Sequence, residues 1–155
     1  QVEIGWFERI FSAAPEVMVY AIDDPLPLVY GASGVTVIAD GPDDDPYLAA
    51  IRDQAPEGIA VLREADTQGI DLSSWTGGEP LVFHKVMEGF DIDIPPNAAG
   101  LILVNTPPFP WWQARTQDGA AIETRPANLN QLALAIPAGT TQVTLRYERP
   151  TLLGY

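Results

Sequence analysis

The stretch Phe90-Asp-Ile-Asp-Ile94 decides the fold class, because apolar and polar residues alternate along it without a break. Successive side chains of a β-strand point to opposite faces, so Phe90, Ile92 and Ile94 share one face and the two aspartates share the other. A helix would instead need an apolar period near 3.6 residues. We therefore expect a half-buried strand that packs one face on a core.

The same pattern recurs on both sides of this stretch, from residue 80 onward. The run Leu101–Val104 is apolar on both faces, which is typical of a central strand, and Asp118-Gly119 supplies a hairpin turn. At least five strands are expected after residue 80, at spacings typical of a β-sandwich. The apolar or face-sharing positions that predict them lie in Phe83–Ile94 and Leu101–Val104, at Trp112, Ala114 and Thr116, at Leu132, Leu134 and Ile136, and at Val143, Leu145 and Tyr147.

The first half of the chain mixes helix and strand patterns. Four apolar residues at helical spacing predict a helix over Gly5–Ala14, which Pro15 would end. A second helix is expected to begin near Pro46, because three aspartates precede it and proline is tolerated in a first helical turn. Strands are predicted at Val17–Ile22, Val35–Ala39 and Ile59–Arg63, and residues 64–78 form a polar connection.

Together these patterns predict one mainly β domain over residues 1–155. We expect an antiparallel β-sandwich of jelly-roll or carbohydrate-module type, with one or two short helices in the N-terminal third. Residues 1–78 form the mixed α/β portion and residues 79–155 form the sandwich core. A chain of 155 residues buries enough surface to hold a core without a metal or a disulfide, and this one contains no cysteine.

The charge excludes some partners. Eight basic and 21 acidic residues give a formal net charge of −13. Such a field repels phosphate, so we expect no nucleic-acid partner and no direct contact with anionic lipid headgroups. No apolar stretch approaches the roughly 20 residues of a membrane helix, and no signal peptide is seen, so a location outside the cytoplasm would depend on other segments.

Catalytic and metal motifs are weak. His84 is the single histidine, and it has neither a GxSxG elbow nor a cysteine beside it, so a nucleophilic triad is not expected. The acidic residues offer carboxylate pairs for glycoside hydrolysis, but no pair stands out. Asp40, Asp43, Asp44 and Asp45 offer oxygen ligands for calcium without EF-hand spacing, and capping of the next helix explains them equally well. We therefore predict no catalytic residue, no metal site and no cofactor.

The most unusual local feature is the group Phe109-Pro110-Trp111-Trp112. Aromatic faces stack on sugar rings, and tryptophan buries a large apolar area while keeping a polar edge. Within a strand Trp111 and Trp112 would point to opposite faces, so at most one of them belongs to the core. Two interpretations stay open, a core residue with an edge contact and a surface for a ligand or partner.

An ordered set of short motifs also runs through the second half. It resembles the C-terminal extracytoplasmic domain of YfhO-type bacterial membrane proteins, which look like C-type (GT-C) polytopic glycosyltransferases. The first half fits more loosely, and Trp111 stands where that family has a glycine. Since tryptophan does not readily adopt glycine-only backbone conformations, a different turn is expected before Trp112. The motifs are Leu101–Val104, Pro108–Ala114, Asp118-Gly119, Asn128, Leu132–Gly139, Val143–Tyr147 and Arg149-Pro150, with Tyr20–Pro27, Leu48, Ile51 and Ile59–Leu62 in the first half.

The resemblance implies a function for the domain and a place in a larger protein. The domain would be a non-catalytic accessory domain on the extracytoplasmic face of a bacterial membrane, tethered by the parent protein's transmembrane helices, and Arg149–Tyr155 would lead into the last of them. Its partners would be that transmembrane region and a glycan, either the acceptor or a lipid-linked sugar donor. The family's sugar-transfer carboxylates have no matching position here. With Trp111 and Trp112, the matched Asp118 and Asn128 complete the candidate ligand-binding set. A free-standing carbohydrate-binding module and a protein-interaction scaffold are the alternatives, and an independent hydrolase is the least favoured.

Overall fold

The computed structural model describes residues 26–76 and 80–148, together with the backbone of two earlier strands, 7–14 and 17–22. Its described elements are thirteen strands, one α-helix and two short 3-10 turns at 55–57 and 64–67. In chain order they are β1 Phe7–Ala14, β2 Val17–Ile22, β3 Val29–Gly31, β4 Gly34–Ile38, α1 Asp45–Gln54, β5 Ile59–Arg63, β6 Phe83–Val86, β7 Gly89–Asp93, β8 Gly100–Val104, β9 Trp112–Thr116, β10 Ala121–Ile122, β11 Thr124–Ala127, β12 Gln131–Ile136 and β13 Gln142–Tyr147.

Two antiparallel sheets form a sandwich. One has five strands in the order β10-β9-β13-β7-β6, and the other has four in the order β11-β12-β8-β3. Alternate residues of both sheets point inward and make one apolar core, as the alternating pattern of Phe90–Ile94 requires. The prediction of a mainly β antiparallel sandwich with a short helix in the first third is confirmed. The inward side chains are Val29, Ile102, Val104, Leu132, Leu134 and Ile136 from the smaller sheet, and Phe90, Ile92, Ala114, Ile122, Val143 and Leu145 from the larger.

The region after residue 80 contains eight described strands, which confirms the expectation of at least five. The predicted run Phe83–Ile94 is divided by a turn at Met87-Glu88 into β6 and β7, which pair with each other. Strand β3 comes from the first half of the chain and pairs with β8 in the smaller sheet. The sandwich therefore draws on residues from both predicted portions of the domain.

A βαβ unit covers the outer face of the smaller sheet. Strands β4 and β5 pair in parallel, and α1 forms the connection that parallel strands require. Sequence patterns predict both strands and the helix but not this pairing. Side chains of β5 pack on the outer face of β8, and α1 covers the other side of β5 through Tyr47, Ala50 and Val61. The cluster between β5 and the smaller sheet contains Tyr30, Ala32, Ala60, Leu62, Leu101, Leu103, Ala127 and Ala133.

Strand β8 is consequently buried on both faces. Ile102 and Val104 point into the sandwich, whereas Leu101 and Leu103 point toward β5. All five residues of β8 are buried. The prediction of a central strand from a run that is apolar on both faces is confirmed.

The helix predicted over Gly5–Ala14 is wrong across its described part, because Phe7–Ala14 is strand β1. It pairs antiparallel with β2, and the register shifts between Arg9 and Phe11. Phenylalanine and isoleucine favour strands as well as helical faces, and a β-rich partner lies only a few residues away to complete the hydrogen bonds. The strand predicted at Val17–Ile22 is confirmed. Among the described residues, no helix has the length and apolar character needed to cross a membrane.

Candidate ligand-binding surface

A chain of six aromatic side chains runs from the sandwich core to the protein surface. Phe90 belongs to the core, and Phe83 and Trp112 pack against it. Tyr147, the last residue of β13, contacts both Trp112 and Trp111. Phe109 closes the series at the surface. The ring centroids are separated by 5.9 Å for Phe83–Phe90, 6.2 Å for Phe90–Trp112, 5.1 Å for Trp112–Tyr147, 5.9 Å for Trp111–Tyr147, 6.3 Å for Phe109–Tyr147 and 6.3 Å for Phe109–Trp111.

The two tryptophans have different environments. Trp112 opens β9 opposite Tyr147 of β13, packs on the core, and donates its indole N–H to the Pro107 carbonyl at 3.0 Å. Trp111 lies in the preceding turn and leaves 41% of its surface exposed. The prediction that at most one of them belongs to the core is confirmed.

Phe109, Trp111 and Tyr147 form what we call the aromatic tip. Phe109 is 48% exposed, so two large rings of the tip face solvent. The backbone around them is fixed, since the Glu148 amide donates to the Trp111 carbonyl at 2.9 Å and the Trp112 amide donates to the Phe109 carbonyl at 3.2 Å. Three prolines in this loop restrict its φ angles further. The tip is thus a preorganised aromatic surface.

Asp118 lies away from the aromatic tip. It is in the turn after β9, beyond the far end of a five-residue strand that spans about 13 Å from Trp112 to Thr116 at the usual rise per residue. The Thr116 hydroxyl donates to its carboxylate, and this bond, with backbone amides, lowers the pKa of Asp118. The structure therefore places Asp118 as a turn residue that does not join the tryptophans.

Asn128 is buried in the turn between β11 and β12, and its side-chain amide forms hydrogen bonds with other groups of the protein. Its Oδ1 accepts from the Val61 amide at 2.8 Å, and its Nδ2 donates to the Ile59 carbonyl at 3.1 Å and to Gln131 Oε1 at 2.8 Å. The side chain therefore joins the β11–β12 turn to β5. Of the four candidate residues, the structure brings together only Trp111 and Trp112.

The other ionisable groups singled out in the sequence are largely paired or exposed. His84 is 68% exposed, with its Nε2 3.6 Å from an Asp93 carboxylate oxygen. Asp44 forms an ion pair with Arg63 at 2.6 Å, and Asp43 accepts a hydrogen bond from the Asp45 amide at the start of α1. Within residues 26–76 and 80–148, no three histidine, aspartate or glutamate side chains are grouped so as to hold a metal ion.

Sequence reasoning missed Tyr147 as a member of the site. Its alternation with Val143 and Leu145 identified it only as one residue of a strand face. The decisive contact joins β13 to β9. Tyr147 and Trp112 are 35 residues apart in the sequence, but they lie directly opposite each other in the paired strands. No local pattern reports such a pairing.

Comparison with known proteins found no match. No protein-family model matches the chain, and neither a curated protein nor a solved structure shows significant similarity to it.

Proposed function

We propose that this chain is a non-catalytic, extracytoplasmic accessory domain of a polytopic, glycosyltransferase-like membrane protein, and that its aromatic tip contacts a sugar. The sugar belongs either to the glycan acceptor or to the lipid-linked donor. The observation that supports the sugar contact is the exposure of Phe109 and Trp111 on a backbone fixed by hydrogen bonds.

The chemistry of the tip suits a sugar ring. The faces of an aromatic ring are electron-rich and attract the polarised C–H groups on one side of a pyranose, while apolar area is removed from water. Because Tyr147 meets Trp111 edge to face with centroids 5.9 Å apart, the indole is supported from one side. A surface that is already ordered loses little conformational freedom when a ligand binds.

Glycan titration tests this proposal. The domain and a Trp111→Ala variant are titrated calorimetrically with bacterial cell-envelope oligosaccharides, and we expect the variant to bind at least tenfold more weakly, since a central tryptophan commonly contributes more than about 1.4 kcal/mol to an interface. Leu48→Ala is the matched control, because Leu48 is similarly exposed on α1 and lies outside the tip. Unchanged affinity in Trp111→Ala, or no glycan binding by the parent domain, contradicts the proposal.

A free-standing carbohydrate-binding module would use the same tip. Gene context separates the two, because the accessory-domain proposal requires that the same open reading frame encode transmembrane helices. A frame without them supports the free-standing module.

A further inference from the structure

The aromatic tip lies at the end of the sandwich where the chain first enters it and last leaves it. The chain enters through Leu28, whose carbonyl accepts the Asn105 amide at 2.8 Å, and continues into β3 beside the last residue of β8. It leaves through Glu148, whose amide is bonded to Trp111. These two connections, the first into the sandwich and the last out of it, are therefore adjacent to the loop that joins β8 to β9.

A third exposed apolar side chain lies at this end. Met87 occupies the β6–β7 turn and is 89% exposed. The backbone carbonyl of the next residue, Glu88, accepts a hydrogen bond from the Tyr147 amide at 2.7 Å, so the turn lies beside the aromatic tip. We call Met87, Phe109 and Trp111 the apolar end.

The loop at this end is free of charge in a strongly acidic chain. Residues 105–111 read Asn-Thr-Pro-Pro-Phe-Pro-Trp, whereas the whole chain has a formal charge of −13. Placing a charged side chain at a lipid surface requires its desolvation, and this loop avoids that cost. Tryptophan and tyrosine are also the residues that concentrate at the interface between membrane and water.

We propose that the apolar end docks on the surface of a phospholipid bilayer, with Met87, Phe109 and Trp111 entering the headgroup region. The proposal rests on the proposed function for the presence of a membrane beside the domain. Docking in this orientation directs both chain connections toward the bilayer and holds the aromatic tip where a lipid-linked sugar is presented. Two exposed glutamates, Glu88 and Glu148, flank the apolar end, and with the acidic remainder of the domain they restrict the preferred lipid to a zwitterionic one.

Vesicle binding tests the proposal directly. The chain is mixed with phosphatidylcholine vesicles, some carrying brominated acyl chains, and binding is followed by sedimentation and by quenching of tryptophan fluorescence. We expect binding to the neutral vesicles, quenching by the brominated lipid, and weaker binding as phosphatidylglycerol is added. The double variant Met87→Ser/Phe109→Ser is expected to reduce partitioning at least tenfold, because it removes two apolar side chains from the contact.

Val82→Ser is the matched control. Val82 is 60% exposed and lies beside β6 at the end remote from the Met87 turn, so its replacement should leave partitioning unchanged. Failure of the parent chain to bind neutral vesicles overturns the inference. An equal loss in Val82→Ser, or binding that requires phosphatidylglycerol, overturns it too. If this end instead docks on a protein partner, the parent chain should fail to bind neutral vesicles.

The two proposals fail separately. Glycan titration is done without lipid, so sugar binding that depends on Trp111 stands even if no vesicle is bound. Conversely, vesicle binding that depends on Met87 and Phe109 stands even if no oligosaccharide is bound. Urea denaturation of each variant confirms that it is folded before either measurement is interpreted.

Discussion

Asn128 shows how one side chain can replace a stretch of strand. Its amide accepts from the Val61 N–H and donates to the Ile59 carbonyl, as the backbone of a neighbouring strand would. The residue has a φ of 49°, a left-handed conformation that asparagine tolerates better than most residues. The geometry explains a buried asparagine at this position without any ligand.

Replacement of Asn128 by alanine is expected to destabilise the domain. The change leaves the buried Val61 amide and Ile59 carbonyl without their partners, and each such group costs about 1–3 kcal/mol. We expect a loss of about 2–4 kcal/mol in the free energy of unfolding, measured with urea. Asn130→Ala, an exposed position in the same turn, should change it by less than about 0.5 kcal/mol. Similar losses in the two variants would refute the bridging role.

The pKa of Asp118 provides a second test at the residue scale. The Thr116 hydroxyl is the largest cause of its lowered value. A carboxyl whose pKa is lower in the folded state stabilises the fold above its ordinary pKa, and this contribution is lost as the pH falls through the folded value. Thr116→Val should therefore raise the pKa of Asp118, as followed by NMR titration of its carboxyl carbon.

Gln117→Ala is the control for this titration. The Gln117 side chain bonds to the Gly139 carbonyl and the Thr141 amide and not to the Asp118 carboxylate. Its removal should leave the pKa of Asp118 near the parent value. A Thr116→Val variant with the parent pKa would show that the hydroxyl does not stabilise the carboxylate.

At the scale of elements, the pairing of β7 with β13 depends on a glycine. Gly89 pairs with Arg146 at the start of β7, and a β-carbon added there would overlap the Leu145 carbonyl oxygen. Since that oxygen belongs to a backbone held by both neighbouring strands, it has little freedom to move. Sequence alternation along β7 gives no sign of this requirement.

Gly89→Ala should consequently lower stability by at least about 2 kcal/mol, because overpacking against the backbone strains the strand pair. The measurement is the urea-induced unfolding of the variant. Gly41→Ala is the control, since a β-carbon at Gly41 would have no neighbour within 4 Å. If both variants lost equally little stability, the pairing of β7 and β13 would need revision.

Strand β11 illustrates an element that sequence patterns missed. It reads Thr-Arg-Pro-Ala, and a proline within four residues argues against a strand. Proline is nevertheless tolerated at the edge of a sheet, where its missing N–H leaves no neighbour unsatisfied. β11 is the edge strand of the smaller sheet, so only its place in the sheet makes Pro126 acceptable.

At the scale of the whole molecule, the βαβ unit adds a further layer to the outer face of the smaller sheet. The outer face of β8 would be exposed to solvent in a sandwich without this cover, but Leu101 and Leu103 are fully buried beneath β5. The apolar surface of both faces of β8 therefore contributes to the free energy of folding.

Leu103→Ala tests this arrangement. We expect a loss of about 2–5 kcal/mol, similar to that of Ile102→Ala on the inner face, because both changes leave a cavity in a packed region. Val37→Ala on β4 is the control, since Val37 is 42% exposed, and its loss should stay below about 1 kcal/mol. Guanidinium unfolding monitored by circular dichroism measures all three. A loss for Leu103→Ala as small as for Val37→Ala would mean that β5 does not cover this face.

The sequence by itself determined the features that depend on neighbours along the chain. Alternation in Phe90–Ile94 indicates a half-buried strand, and the run Leu101–Val104 indicates a strand buried on both faces, because side-chain direction in a strand depends only on position. The start of α1 follows from Pro46 for the same local reason, whereas Asp44 at the N-cap bonds to Arg63 and makes no side-chain capping bond to the helix. These predictions required no knowledge of the strands' partners.

Only the tertiary structure decided which distant segments meet. The parallel pairing of β4 with β5, the strand at Phe7–Ala14 and the bonds from Asn128 to β5 all depend on partners that no local pattern specifies. The aromatic tip depends on them as well, since Tyr147 reaches Trp111 only through the pairing of β13 with β9. The physical reason is that the free energy of such contacts becomes available only when the chain closes long loops, and the cost of closure depends on the whole topology.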